Sequence, residues 1–189
     1  MGLGTVAVTG AAGTIGSVVR EALRREAARV ILVDRVPLRP EAGNEDGPRE
    51  PVRPDGLYGV SKAAVEALGR MYADKFGLSV VCLRIGSFEP APAEPRHLAT
   101  WLSPRDAVGY IRAALTAPSS TRFATVYAVS ANTRRFWELP DPAVLGYTPV
   151  DDAELHAGDI PGTDLPADPA APQAGPYALP EFTLKHLGP

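Results

Sequence analysis

TVAVTGAAGTIGSVVREALRREAARVILVD, residues 5–34, sets the order of parts that decides the fold. Thr5 to Thr9 is short and β-branched, as a buried parallel strand requires, and Gly10 closes it. Gly10, Gly13 and Gly16 follow at the spacing G-x-x-G-x-x-G. From 14 to 28, apolar residues at Ile15, Val18, Val19, Ala22 and Leu23 predict a helix with one apolar face. A second strand over Val30 to Val33 then ends in Asp34.

The glycines have a physical purpose in that setting. The turn needs unusual backbone angles, and a Cβ would keep the backbone away from a pyrophosphate and the helix away from its strand. The amides and positive dipole at the helix start then meet phosphate charge. Gly10, Gly13, Thr14, Ile15 and Gly16 are therefore the expected dinucleotide-binding residues. Asp34 falls where an acid hydrogen-bonds the adenosine ribose hydroxyls. Its charge repels a 2′-phosphate, which favours NAD over NADP, although the neighbouring Arg35 is able to accommodate that phosphate.

A second constellation opens YGVSKAAVEALGRMYADKF, residues 58–76. Apolar residues at Val60, Ala64, Leu68, Met71 and Tyr72 predict an amphipathic helix ended by Gly77. Tyr58 and Lys62 stand four residues apart and so share a face. A phenol ionises only near pH 10 when unperturbed. A fixed ammonium stabilises the phenolate, so Tyr58 becomes able to accept a hydroxyl proton while hydride departs. Lys62 is also placed to hold a nicotinamide ribose.

Together, TGAAGTIG (9–16) and YGVSK (58–62) resemble the extended short-chain dehydrogenase/reductase family, also called the NAD-dependent epimerase/dehydratase family. Within it, VVCLRIGSFEP (80–90), RHLATWLSPRDAV (96–108) and VYAVSANTRRFWE (126–138) are similar to uronate dehydrogenases. The resemblance covers most of Leu3 to Asp34 and Pro51 to about Leu155. It implies a Rossmann-type fold, NAD as cofactor, and oxidation of a hexuronate at its anomeric carbon to an aldarolactone. It implies substrate contacts at Ser87 and Arg96, the arginine fork donating two parallel hydrogen bonds to the uronate carboxylate.

Only a proline-rich bridge, 35–55, joins Asp34 to Tyr58. One strand–helix unit with its return strand takes about 30 residues, so none fits. The resemblance is to a family with its middle removed, including the segment that carries the catalytic serine or threonine. Ser61 and Thr100 are candidate substitutes for that hydroxyl. Losing one such donor typically costs about 100- to 1000-fold in rate. Three readings follow: a dehydrogenase acting on a uronate or related sugar acid, a non-catalytic NAD-binding remnant, and a nucleotide-sugar epimerase or dehydratase.

The predicted strands 5–9, 30–34, 79–85 and 124–129 alternate with helices 14–28, 58–76 and 104–117. Right-handed crossovers then permit a shortened α/β parallel sheet of order 2-1-3-4 with helices on both faces, in which the first and third strands become neighbours. Ser103-Pro104-Arg105-Asp106 reads as a helix cap, which makes Asp106 structural. Residues 1–157 form the expected domain. From 158 to 189, seven prolines preclude a persistent helix or strand and predict a tail docked through Tyr177, Leu179 and Phe182.

Composition excludes other classes. A net charge of −3 offers no field for nucleic acid or an anionic membrane. No run of about 18 apolar residues and no leader pattern occurs, and the single cysteine, Cys82, sits in an apolar run as a small buried residue. These features predict a cytoplasmic protein; the resemblance implies a small-molecule substrate, a uronate or related sugar acid, and leaves a homo-oligomer open. His97, His156 and His186 lack metal-ligand spacing and are expected at the surface or in the tail. Trp101 and Trp137 are expected to anchor packing.

Overall fold

The computed structural model describes residues 3–9, 14–33, 45–46, 54, 56–118, 120–164, 167–169 and 178–187. Strand β1 (Leu3–Thr9) runs parallel to β2 (Ala27–Val33), with Val6 opposite Val30 and Thr9 opposite Val33, and α1 (Thr14–Leu23) connects them. Val6, Val19 and Leu23 are buried together, with Ile15 and Ala27 packed against them. The helix stops about a turn before the predicted residue 28. Leu23 is buried, and Arg25 and Glu26 then bond back only three residues, to Ala22 and Leu23. β2 accordingly starts at Ala27.

After a two-residue strand, β3 (Glu45–Asp46), the bridge leads into α2 (Leu57–Phe76), which Gly77 ends with a left-handed φ of 66° and an N–H bonded to Ala73 O. Then come β4 (Val80–Ile85), β5 (Ser87–Phe88), α3 (His97–Thr100), β6 (Trp101–Leu102), α4 (Pro104–Thr116) and β7 (Phe123–Ala128). A short helix α5 (Pro142–Leu145), a 3-10 helix (Ala153–Asp159) and α6 (Pro180–Leu187) complete the described elements.

β4 and β7 pair in parallel from Val80 and Phe123 to Ile85 and Ala128, and the two faces differ as alternation requires. Val81, Leu83 and Ile85 join Val126 and Ala128 against Ala107, Tyr110 and Ala113 of α4. Each fully buried side chain of this kind contributes roughly 1.5–3 kcal/mol. On the other face Val80, Cys82 and Arg84 meet α2. There Gly69 permits close approach, since a Cβ on it would stand 3.1 Å from Val80 Cγ1. Helices therefore cover both faces, as expected for an α/β sheet.

The strand order departs from 2-1-3-4. β1 bonds to β2, while β4 bonds to β7 and β7 to β3, so the first and third predicted strands are not ladder partners. Helix packing replaces the ladder: Ile111 of α4 packs against the Val6, Val19 and Leu23 cluster, and Arg112 pairs with Glu26. One edge of β1 and one of β4 are left without a strand partner among the described residues.

The tail also departs from expectation. Pro180 opens α6 at the position where a missing N–H costs nothing, and no further proline follows until residue 189. Leu179 and Phe182 are exposed, and Tyr177 lies outside the described residues. Among the described residues no helix is long and apolar enough to cross a membrane.

Candidate active site

Thr14, Ile15 and Gly16 form the first turn of α1: Thr14 is exposed, Ile15 packs on the Val6 cluster, and Gly16 is buried. The strands flanking them end at register partners Thr9 and Val33. Gly10, Gly13 and Asp34 lie outside the described residues.

Tyr58 and Lys62 meet on α2, with Lys62 Nζ 5.0 Å from the centroid of the Tyr58 ring. The Ser61 hydroxyl donates to Tyr58 O at 2.7 Å, so its proton is engaged by its own helix. Ala73 is the buried residue of α2 among those described, whereas Tyr58 is 67% and Leu68 48% exposed. The apolar stripe that predicts an amphipathic helix is thus largely open along its first three turns.

Ser87 and Arg96 come together. Arg96 Nη1 donates to Ser87 Oγ at 3.2 Å, and Ser87 Oγ lies 2.8 Å from Thr100 Oγ1, which also bonds Arg96 O at 3.0 Å. Arg96 Nε donates to Glu94 at 2.8 Å, and this hydrogen bond holds the Glu94 carboxyl below its usual range. One guanidinium and two hydroxyls in a single cluster can bind a carboxylate or a polyol.

Parallel pairing of β5 with β6 closes the loop that carries this cluster. Gly86 is obligatory at its base, because a Cβ there would collide with the Thr100 carbonyl. Buried Asn132 ties the far side: its Nδ2 donates to Trp101 O at 2.8 Å and its Oδ1 accepts from Ala153 N–H at 3.1 Å. Ser103 caps α4, and its Oγ accepts from Asp106 N–H at 3.0 Å. Asp106, fully buried, accepts from Tyr147 Oη at 2.7 Å and from the Val150 and Asp151 amides at 3.0 Å each. Its role is the structural one expected. The tryptophans also anchor packing: Trp101 is buried, and Trp137 stacks on Tyr127 at 5.1 Å.

His97 is not a surface residue. It is buried in α3, where Nδ1 accepts from Ala93 N–H at 3.1 Å and Nε2 has no hydrogen-bond partner among the described residues. The apolar residues that follow it, Leu98 and Trp101, draw that helix inward. Burial, then the Arg96 charge, pushes the His97 imidazole below its ordinary range. Cys82 is half-buried, and burial together with the Glu66 charge raises its thiol to about 11. No group of side chains able to hold a metal occurs among the described residues.

Motif reading alone misses Glu66 and Arg84. Arg84 Nη2 donates to Glu66 Oε1 at 2.8 Å and Arg84 Nε to Oε2 at 3.1 Å, joining β4 to α2. The available signal is the position of Glu66, one further turn along the face of Tyr58 and Lys62.

Residues 36–110 match the profile of the NAD dependent epimerase/dehydratase family. A uronate dehydrogenase from Agrobacterium fabrum is 45% identical over 123 residues, 65% of this chain and 46% of the relative. An NAD-dependent glucose-6-phosphate dehydrogenase from Haloferax volcanii is 41% identical over 112 residues, 57% of this chain and 42% of the relative. The chain thus spans about half the length of the curated relatives it matches. The crystal structure of uronate dehydrogenase from Agrobacterium tumefaciens superposes with a TM-score of 0.74 at 30% identity, covering 90% of this chain and 93% of that one.

Proposed function

Because the chain belongs to the NAD-dependent epimerase/dehydratase family, we propose that it is an NAD-dependent oxidoreductase of the short-chain dehydrogenase type that oxidises a hexuronate at its anomeric carbon to an aldarolactone. The observation that carries this reading is the cluster of Arg96, Ser87 and Thr100, a guanidinium beside two hydroxyls. Arg96 binds the uronate carboxylate, and Ser87 orients a sugar hydroxyl. Tyr58 accepts the anomeric hydroxyl proton, and Lys62 stabilises the phenolate so formed.

The parallel strand–helix–strand start fits a dinucleotide: β1 and β2 end in register and Gly16 is buried in the first turn of α1. Gly10, Gly13, Thr14, Ile15 and Gly16 would hold the pyrophosphate, Asp34 the adenosine ribose and Lys62 the nicotinamide ribose. NAD supplies the hydride acceptor when bound.

A second reading, a non-catalytic NAD-binding remnant, is favoured by the exposed apolar stripe of α2 and by the chain's share of its relatives. One assay separates the two. Purified protein, NAD and glucuronate or galacturonate are mixed and NADH absorbance is followed, with Tyr58→Phe as control. Turnover lost in Tyr58→Phe supports the dehydrogenase. Saturable NAD binding without NADH formation selects the remnant.

A further inference from the structure

Tyr58, Lys62 and Glu66 recur every four residues along α2 and so form one stripe on its surface. The Lys62 ammonium therefore has two competing neighbours, a phenol one turn before it and a carboxylate one turn after. Left alone, the carboxylate competes with the ring for the ammonium, since an i,i+4 ion pair and an exposed cation–π contact are of similar, small strength.

The structure decides the contest for the ring. Both Glu66 oxygens are taken by the Arg84 fork, at 2.8 and 3.1 Å, and this bidentate geometry is one a lysine cannot offer. The two side chains are only 22% and 21% exposed, so solvent screens the pair weakly. Arg84 is itself held from behind. Its Nη1 lies 3.5 Å from Tyr127 Oη, its guanidinium lies over the Tyr127 ring at 5.6 Å, and that ring stacks on Trp137 with an interplanar angle of 2°. Lys62 meanwhile lies over Tyr58.

We infer that Arg84 is a positioning residue that sequesters the Glu66 carboxylate and thereby keeps the Lys62 ammonium on Tyr58. The inference deepens the proposed function, since it rests on Tyr58 and Lys62 as the proton-accepting pair. Four residues of helix span about 6 Å. A Glu66 released from Arg84 would draw the ammonium that way, off the phenol.

The test uses the full chain as Arg84→Ala, Arg84→Lys and the double variant Arg84→Ala with Glu66→Gln. Two readouts are taken, and circular dichroism confirms folding. The first is the upfield ring-current shift of the Lys62 ε-methylene protons, defined against Tyr58→Leu and independent of any ligand. The second is NADH formation from galacturonate. The expected result is loss of the shift and at least a 10-fold fall in turnover in Arg84→Ala. Arg84→Lys is intermediate, and both readouts recover when Glu66 is also neutralised. A purely structural tether predicts the opposite for the double variant, which lacks both halves of the ion pair. A shift unchanged in Arg84→Ala, or unrecovered in the double variant, overturns the inference. The expected shift pattern without NADH from any variant supports the positioning role and rejects the dehydrogenase reading.

Discussion

Arg96 Nη1 donates a hydrogen bond to Ser87 Oγ at 3.2 Å, joining the start of β5 to the N-terminus of α3. The bond fixes one arm of a guanidinium whose Nε is already given to Glu94. Charge-assisted bonds of this kind are worth about 1.5–3 kcal/mol each. Arg96→Ala is therefore expected to raise the KM for galacturonate about 10- to 100-fold. The KM for galactose, which lacks the carboxylate, should be unchanged. Steady-state kinetics on the two sugars check this, and an equal loss on both would show that Arg96 does not read the carboxylate.

Gly86→Ala drives a methyl group into the Thr100 carbonyl, which is backbone and cannot rotate away. Overpacking of this type costs about 1–3 kcal/mol. Because Thr100 carries the bond to Ser87, the variant should lose both urea resistance and substrate affinity, measured as a lower unfolding midpoint and a raised KM. A loss of stability with KM intact would detach the loop from binding.

Asp106→Ala removes a fully buried carboxylate and leaves the partly buried Tyr147 hydroxyl and two backbone amides without their shared acceptor. Denaturant unfolding should report a loss of about 3 kcal/mol or more, with Asp106→Asn retaining part of it. An effect near zero would mean that residues 147–151 are held by other contacts.

Stability should fall on acidification in two stages. Burial, aided by the Arg96 charge, depresses the His97 imidazole. A base depressed in the fold contributes stability that is full above its unfolded value, about 6.5, and is lost as pH falls through the folded value. Asp151 and Asp152 follow the same sign in a lower window. Burial opposes their ionisation, but hydrogen bonds from Arg105 and Ser103, and from Thr133 and Glu154, outweigh it and hold both low. Their share is lost below about pH 4. Urea midpoints across pH 7 to 3 should decline from near 6.5 and again below 4, and His97→Gln should flatten the first decline alone.

What the sequence makes readable is local. The glycine spacing with its flanking β-branched runs yields β1, α1 and β2, and Ser103-Pro104 yields the start of α4, because caps and turns are decided within a few residues. The family likeness points to Ser87 and Arg96 as substrate contacts but not to their bond with each other, which the structure shows. The strand order is not readable, since whether β1 bonds β4 depends on α1 packing against α4 rather than on either strand. His97 misleads because its burial comes from Leu98 and Trp101, not from its own polarity. Pro180 misleads because a proline that breaks a helix interior opens one at the first turn. Arg84 escapes motif reading because its partner lies 18 residues away across a turn.

The account stands on hydride leaving the anomeric carbon while Tyr58 takes the proton. Galacturonate deuterated at that carbon, incubated with the protein and NAD, tests it directly by mass spectrometry of the recovered cofactor. Reduced cofactor one mass unit heavier, formed by the native chain and absent with Tyr58→Phe, is the predicted result. Absence of reduced cofactor, or reduced cofactor carrying no deuterium, would contradict it.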